Sequence, residues 1–155
     1  MDLRIFAAIK TVLQAISIAG GYFYDVDDAA VMLDPDQSTE AIIKPNGPRP
    51  LIVIRAGSSS DAWGFTPSDQ VKVILPVSIV WENRATAGVD ASRVEMFAKG
   101  SADIERALTR DRSLGIDGVC DVLIQNRTLL VADSGLDLRI EMQVNVELYR
   151  TYGEP

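Results

Sequence analysis

The last third of the chain contains a long run in which apolar and polar residues alternate strictly. Because successive side chains of a β-strand point to opposite faces of a sheet, this period of two predicts a half-buried strand. The apolar set is Leu136, Leu138, Ile140, Met142, Val144, Val146 and Leu148, and the polar set is Asp137, Arg139, Glu141, Gln143, Asn145 and Glu147. A sheet with one apolar and one polar face is therefore the basis of the predicted fold.

Other segments predict further strands of the same sheet. Residues 119–132 are apolar and rich in β-forming residues, and the turn Asp133-Ser134-Gly135 joins them to the last strand as a hairpin. Residues 70–82 alternate as well, and Pro76 among them lacks a backbone donor, which predicts an edge strand or a bulge at that point. A short aromatic strand is predicted at residues 22–26, and a central strand at residues 51–54.

Two amphipathic segments predict helices that cover the apolar face of the sheet. Residues 2–18 repeat apolar side chains at spacings of three and four, and Gly20-Gly21 favours the end of that helix. Residues 90–109 predict a second helix, in which Gly100 indicates close packing against a neighbour. Its expected buried face is Val94, Phe97, Ala98, Ile104 and Leu108. The predicted fold class is α+β: a largely antiparallel sheet with two helices packed on one face, with long loops, in one domain spanning residues 1–155.

Composition excludes several kinds of chemistry. The chain has no histidine, so it has no Ser-His-Asp or Cys-His nucleophile and no imidazole metal ligand. A single cysteine excludes a disulfide framework within the chain and any CxxC site. The net charge of −7 opposes specific binding to nucleic acid, which depends on clustered Lys and Arg. We therefore expect a domain that is not an enzyme and needs no cofactor and no metal.

The N-terminal residues resemble neither an export signal nor a membrane anchor. No basic region followed by a continuous apolar segment is present, and no apolar run approaches the roughly 20 residues that span a bilayer. We therefore expect synthesis in the cytoplasm and no membrane partner.

An acidic segment between residues 25 and 40 is the first candidate site. It contains no Lys or Arg and carries Asp25, Asp27, Asp28, Asp34, Asp36 and Glu40. A calcium loop beginning at Asp25 would place Ala30 where glycine is required, and one beginning at Asp34 would place Thr39 there. A solvated acidic surface is the main interpretation, with an adventitious cation site or a partner-facing patch as alternatives.

The segment Gly57 to Gly64 is the second candidate site. It lacks the lysine of a phosphate-binding loop, and no motif supplies a base for Ser58, Ser59 or Ser60. A flexible connection is the simplest interpretation. The alternative is a loop that becomes ordered on a partner, with Trp63 and Phe65 as anchors, because aromatic side chains contribute strongly to interfaces.

The order of these features resembles a known family. The segments that carry the resemblance are Gly20-Gly21-Tyr22-Phe23-Tyr24-Asp25-Val26, then Pro50-Leu51-Ile52-Val53-Ile54, then Asp111 to Val122 with its Asp-x-x-Leu-Gly-x-x-Gly turn, and finally Val144 to Thr151 with Tyr149-Arg150. Together with the chain length, they resemble the tail-terminator family of long-tailed bacteriophages, also described as minor tail protein U-like or tail-completion proteins.

That resemblance implies a structural virion protein. Its copies, typically six, would form a ring that caps the head-proximal end of the tail tube, ends tube polymerisation and offers the head-joining surface. The implied partners are further copies of the chain, the tail-tube protein and the head-completion or connector proteins, in a virion assembled in the host cytoplasm. The acidic residues 25–40 are expected to line the lumen, where they would let DNA pass without binding. The alternatives are another neck or head–tail connector subunit and, in a different class, a small cytoplasmic ligand-binding or enzyme domain.

Overall fold

A computed structural model of the chain describes residues 3–34, 48–57, 63–65, 70–84, 90–131 and 137–151. The helices are α1 (Leu3–Gln14), a short 3₁₀ helix (Asp28–Ala30) and α2 (Asp90–Arg110). The strands are β1 (Val31–Leu33), β2 (Leu51–Ala56), β3 (Trp63–Phe65), β4 (Gln70–Arg84), β5 (Val119–Val131) and β6 (Asp137–Thr151). None of the described helices combines the length and apolarity needed to cross a membrane.

The strands form one mixed sheet with the order β1-β2-β4-β6-β5, and β3 pairs with the part of β4 that β2 does not reach. Only the short β1–β2 pair is parallel among the described strands. β4 and β6 pair along their whole length, from Gln70 opposite Thr151 to Arg84 opposite Asp137. The fold is therefore α+β with a largely antiparallel sheet, as predicted.

One face of the sheet, called here the covered face, packs against both helices. The alternation in β6 is confirmed, because its apolar side chains from Leu138 to Leu148 are all buried on this face. Gly100 of α2 lies directly over Trp81 of β4, and a Cβ at Gly100 would come within 2.8 Å of the indole Cζ2. The predicted close packing at Gly100 is thus confirmed. The main buried residues are Ile5, Ile9 and Leu13 of α1, Ile104 and Leu108 of α2, and Ile52, Ile54, Ile79, Trp81, Ile140, Met142 and Val144 of the sheet.

The N-terminal helix is shorter than predicted, and the aromatic segment after it is not a strand. α1 ends at Gln14, because the carbonyl groups just after it accept hydrogen bonds from outside a helix. Tyr22 N–H donates to the Ser17 carbonyl, and Val26 N–H donates to the Ile16 carbonyl. The positive φ of Gly21 (+89°) belongs to this later turn. The predicted strand at residues 22–26 is wrong, since this segment forms turns and irregular backbone.

The predicted buried face of α2 is partly wrong. Ile104 and Leu108 are buried as expected, but Val94 and Ala98 are exposed. The helix instead contacts the sheet along a stripe that includes Met96 and Gly100. The spacing of four from Met96 to Gly100 to Ile104 keeps these positions on one side, and Val94 lies away from it.

Pro76 marks neither an edge strand nor a bulge, contrary to the prediction. β4 is an interior strand, and Pro76 stands opposite Asn145 of β6 in an unbroken register. The N and O atoms of one residue in an antiparallel strand point to the same neighbour, and the Pro76 oxygen accepts a bond from Gly57 N–H. An N–H at position 76 would therefore point away from β6. On that side of β4, Pro76 faces the gap between β2, which pairs as far as Val77, and β3, which pairs from Val73 onward.

The predicted central strand and the C-terminal strand pair lie where the sequence places them. Residues 51–54 are all buried and lie between β1 and β4, so the predicted central strand is confirmed. Residues 63 and 64 were predicted as loop but belong to β3, so that part of the loop prediction is wrong. β5 and β6 pair in antiparallel fashion as predicted, and the turn Asp133-Ser134-Gly135 lies outside the described residues.

Candidate functional site

The acidic segment is divided between structural and exposed carboxylates. Asp25 accepts a hydrogen bond from Ile18 N–H at 2.6 Å, and Asp27 caps the 3₁₀ helix by accepting from Ala29 N–H at 3.1 Å. Asp28 is also exposed, whereas Asp34 is only 2% exposed and offers no surface carboxylate. Asp36 and Glu40 lie outside the described residues. Asp25, Asp27 and Asp28 are therefore the described members of a surface acidic patch.

Trp63 and Phe65, the predicted anchors, belong to strand β3. In that strand Trp63 stands opposite Val73, and Phe65 opposite Val71, both in β4. The backbone around the two aromatic residues is thus part of the sheet. Their contact with a partner stays a prediction.

Two polar side chains of α2 hold the loop that follows α1. Asp103 is almost fully buried, and its carboxylate accepts hydrogen bonds from the N–H groups of Phe23, at 2.9 and 3.1 Å, and of Tyr24, at 3.0 Å. Arg106 donates to the Gly21 carbonyl, and its guanidinium lies 5.0 Å from the centre of the Tyr22 ring. These contacts give the loop a defined shape without regular secondary structure.

The sequence alone does not identify Asp103 or Arg106 as functional residues. The signal available was their spacing with Lys99, because positions i, i+4 and i+7 of a helix lie on one side. Polar residues at such positions usually face solvent, so only the fold identifies their partners 79 to 85 residues away.

The loop held by α2 presents two large apolar side chains to solvent. Ile18 is 58% exposed and Phe23 is 56% exposed. The Lys99 ammonium lies 5.6 Å from the centre of the Phe23 ring and also donates a hydrogen bond to Glu95. That hydrogen bond lowers the pKa of the Glu95 carboxyl and raises the pKa of Lys99. An exposed aromatic ring on an ordered backbone is typical of a protein-binding surface.

The second face of the sheet, called here the polar face, carries paired charges. Glu82 of β4 accepts from Arg49 at 2.9 Å and from Arg139 of β6 at 3.1 and 3.2 Å. Arg55 of β2 donates to Glu141 at 3.3 Å. Farther along, Lys72 of β4 lies 2.9 Å from Glu147 of β6. Side chains from three adjacent strands thus neutralise one another across this face.

The Asp-x-x-Leu-Gly-x-x-Gly turn after α2 has a structural explanation. Asp111 accepts from both the N–H and the hydroxyl of Ser113, at 3.0 and 2.6 Å, and the hydroxyl bond lowers the pKa of Asp111. Leu114 and Gly115 then adopt positive φ angles of 53° and 67°. Gly118, also with a positive φ, accepts a bond from Tyr149 N–H through its carbonyl. The motif therefore ends α2 and begins the β5–β6 pair.

The described side chains give no arrangement typical of a catalytic or metal centre. Among residues 3–34, 48–57, 63–65, 70–84, 90–131 and 137–151, no group of three or more His, Cys, Asp or Glu residues could hold a metal ion. What the geometry offers is surface: an ordered loop with exposed Ile18 and Phe23, a face of paired charges and the outer edge of β5. Such features suit association with other proteins.

Comparisons with known proteins locate this fold among solved structures. The sequence matches no protein-family model and no curated protein. One similar structure is a chain from the "Virion of native gene transfer agent (GTA) particle", with a TM-score of 0.57, 14% sequence identity and coverage of 93% of each chain. The chain thus has the fold of a protein found in that virion particle.

Proposed function

We propose that this chain is a structural subunit of a phage-like virion and acts as a tail terminator. The observation that carries the proposal is the shared fold with the gene transfer agent chain, because it extends over 93% of both chains and leaves no large region of either unmatched. The shared fold supports the virion subunit, and the sequence resemblance to tail-terminator proteins supports the specific role of terminator. In this role, copies of the chain form a ring, six by the resemblance, that caps the head-proximal end of the tail tube.

The proposed mechanism is geometric and involves no reaction or cofactor. A ring whose upper surface differs from its lower surface accepts the last layer of the tail-tube protein on one side and stops further addition. Its other side receives the head-completion or connector proteins. Head-to-tail contacts between identical subunits close into such rings when the rotation permits. The protein is assembled in the host cytoplasm and resides in the neck of the virion.

The exposed acidic residues are assigned to the lumen of this ring. Asp25, Asp27 and Asp28 are the described carboxylates available for that role, in a chain of net charge −7. A negative inner wall repels the phosphate backbone and lets DNA pass. A ring structure with these three residues on its outer surface would contradict this assignment.

The first test is the size of the protein in solution. Light scattering on a sizing column over a wide concentration range, with negative-stain images of the same fractions, should give rings with an open centre. The decisive test adds the protein to purified, uncapped tail tubes. A tail terminator should label one end of each tube and stop its elongation in the presence of free tube protein.

The same experiment distinguishes a tail terminator from another neck subunit. A connector subunit should leave tube elongation unchanged and bind instead to the portal or to head-completion proteins. Failure to bind either the tube or those proteins would overturn the virion role.

A further inference from the structure

β5 is the longest strand edge without a described partner. It occupies the end of the strand order and pairs with β6 alone. Val119 at its start donates to the Ile116 carbonyl, and beyond Val119 no backbone group of the described residues bonds to its outer edge. Residues 125 to 129 are all exposed, and α2 touches them through the ion pair between Glu105 and Arg127. A long open edge of this kind is a template for a further strand.

The hydrogen-bonding direction of each residue in β5 follows from β6. Tyr149 N–H bonds to Gly118, so the odd-numbered residues of β6 point toward β5. Glu141 stands opposite Thr128, and therefore the backbone of Thr128 bonds inward to β6. Arg127 and Leu129, opposite Met142 and Ile140, have backbone N–H and C=O groups that point outward.

We propose that the outer edge of β5 accepts a strand from the next copy of this chain, at the β1 side of that copy's sheet. This rests on the proposed ring and names the joint between its subunits. β1 and β5 are the two ends of the described strand order, so the contact joins two different surfaces. Such a contact is head-to-tail and closes into a ring when the rotation between subunits permits, whereas pairing of β5 with β5 would stop at a dimer.

The side chains at the two edges have a similar character. The exposed residues 125–129 of β5 are uncharged apart from Arg127, which pairs with Glu105 of α2. Each edge also exposes a leucine, Leu129 at 41% on β5 and Leu33 at 39% on β1.

A proline at position 129 tests the joint. Leu129→Pro removes an outward donor and places a ring where the added strand would lie, while the bonds from β5 to β6 are kept. We expect the variant to fold with a melting temperature close to that of the parent and to assemble at least about tenfold more weakly by light scattering. Leu129→Ala is the matched control, because it removes the side chain but keeps the donor, and it should assemble like the parent. Thr128→Pro should instead lower the melting temperature, since its donor points to β6.

Hydrogen exchange tests the same joint without a substitution. In dilute protein the amides of Arg127 and Leu129 should exchange fast and that of Thr128 slowly. In the assembled protein all three should exchange slowly. Unchanged fast exchange at Arg127 and Leu129 on assembly would overturn the proposal, as would a Leu129→Pro variant that assembles like the parent, a parent that stops at dimers, or one that stays monomeric at every concentration.

Tube capping separates this proposal from the function on which it rests. If both the parent and Leu129→Pro form rings and cap tubes, the tail-terminator role stands and the β5 joint is wrong. If the parent forms rings through β5 but binds neither tubes nor head proteins, the joint stands and the virion role is wrong.

Discussion

The two faces of the sheet are built from the same strands but are stabilised differently. On the covered face, β6 contributes Met142, Val144 and Val146, which are inaccessible to solvent beneath the helices. On the polar face, the neighbouring residues Glu141 and Glu147 pair with Arg55 and Lys72. Burial of apolar surface alone stabilises the first face, whereas the second combines paired charges with a smaller buried cluster of Leu51, Val53 and Val80.

Glu82 illustrates how the polar face accommodates a buried charge. Its side chain is only 3% exposed, although it is charged, and it lies between Arg49 and Arg139. A buried carboxylate is tolerated there because two guanidinium groups replace its water. The covered face has no described cation in a comparable position, so a charge placed there would have no partner.

The largest effect is expected when a charge is placed on the covered face. Val144→Asp buries a carboxylate among apolar side chains and should destabilise the protein by at least about 4 kcal/mol, enough to unfold it. Circular dichroism and urea unfolding measure the loss. Asn145→Asp, one residue away on the polar face, is the matched control and should remain folded.

The second test removes a charge from the polar face. Glu82→Gln leaves Arg49 and Arg139 without their carboxylate and should lower the free energy of unfolding by about 3 kcal/mol. The matched control is Glu141→Gln, whose pair with Arg55 is more exposed, with an expected loss of no more than about 1 kcal/mol. Equal losses in urea unfolding would show that burial of the pair does not decide its contribution.

The third test adds one methyl group to the packing between α2 and the covered face. Gly100→Ala drives a Cβ into the Trp81 indole and should cost about 1 to 2 kcal/mol, despite the better helix propensity of alanine. The smaller ring of Trp81→Phe should relieve the clash. In a double-mutant cycle the two substitutions should therefore be clearly non-additive, and additive losses would place the strain elsewhere.

The smallest expected effect concerns Tyr24, whose ring centre lies 5.5 Å from that of Trp81. Burial raises the pKa of Tyr24 above its usual 10.0, so the folded state holds the phenol proton more tightly than the unfolded chain. The resulting stabilisation is present below pH 10.0 and is lost as the pH rises toward the folded-state pKa. Urea unfolding at about pH 9 and about pH 11 should show a smaller loss of stability for Tyr24→Phe than for the parent.

The period-two pattern was sufficient to predict the sheet, because β4 and β6 expose one face to apolar neighbours along their whole pairing. Pro76 shows where such reasoning fails. A missing backbone donor predicts a position without a strand partner on one side. Only the strand order shows that the gap between β2 and β3 provides such a position inside the sheet. The prediction that Val94 is buried is wrong for a related reason, since residue type alone does not determine which side of a helix contacts the sheet.

The candidate site was less predictable than the fold. Asp34 belongs to an acidic run in the sequence, yet folding buries it, while Asp25 and Asp27 bond to nearby backbone. The Asp103 carboxylate and the open edge of β5 depend on which distant segments become neighbours. Local sequence patterns contain no information about those contacts.

The bonds from Asp103 to Phe23 and Tyr24 also affect the order in which the chain folds, because 80 and 79 residues separate the partners. Likewise, Gln70 at the start of β4 pairs with Thr151 of β6. Contacts so distant in sequence form slowly, since the entropic cost of closing a long loop precedes any gain from the bond. During synthesis, the segment after α1 lacks its hydrogen bonds to Asp103 until α2 has been made. In the same way, β4 lacks its partner β6 until that strand has left the ribosome. The nascent chain therefore exposes its aggregation-prone strands for most of its translation.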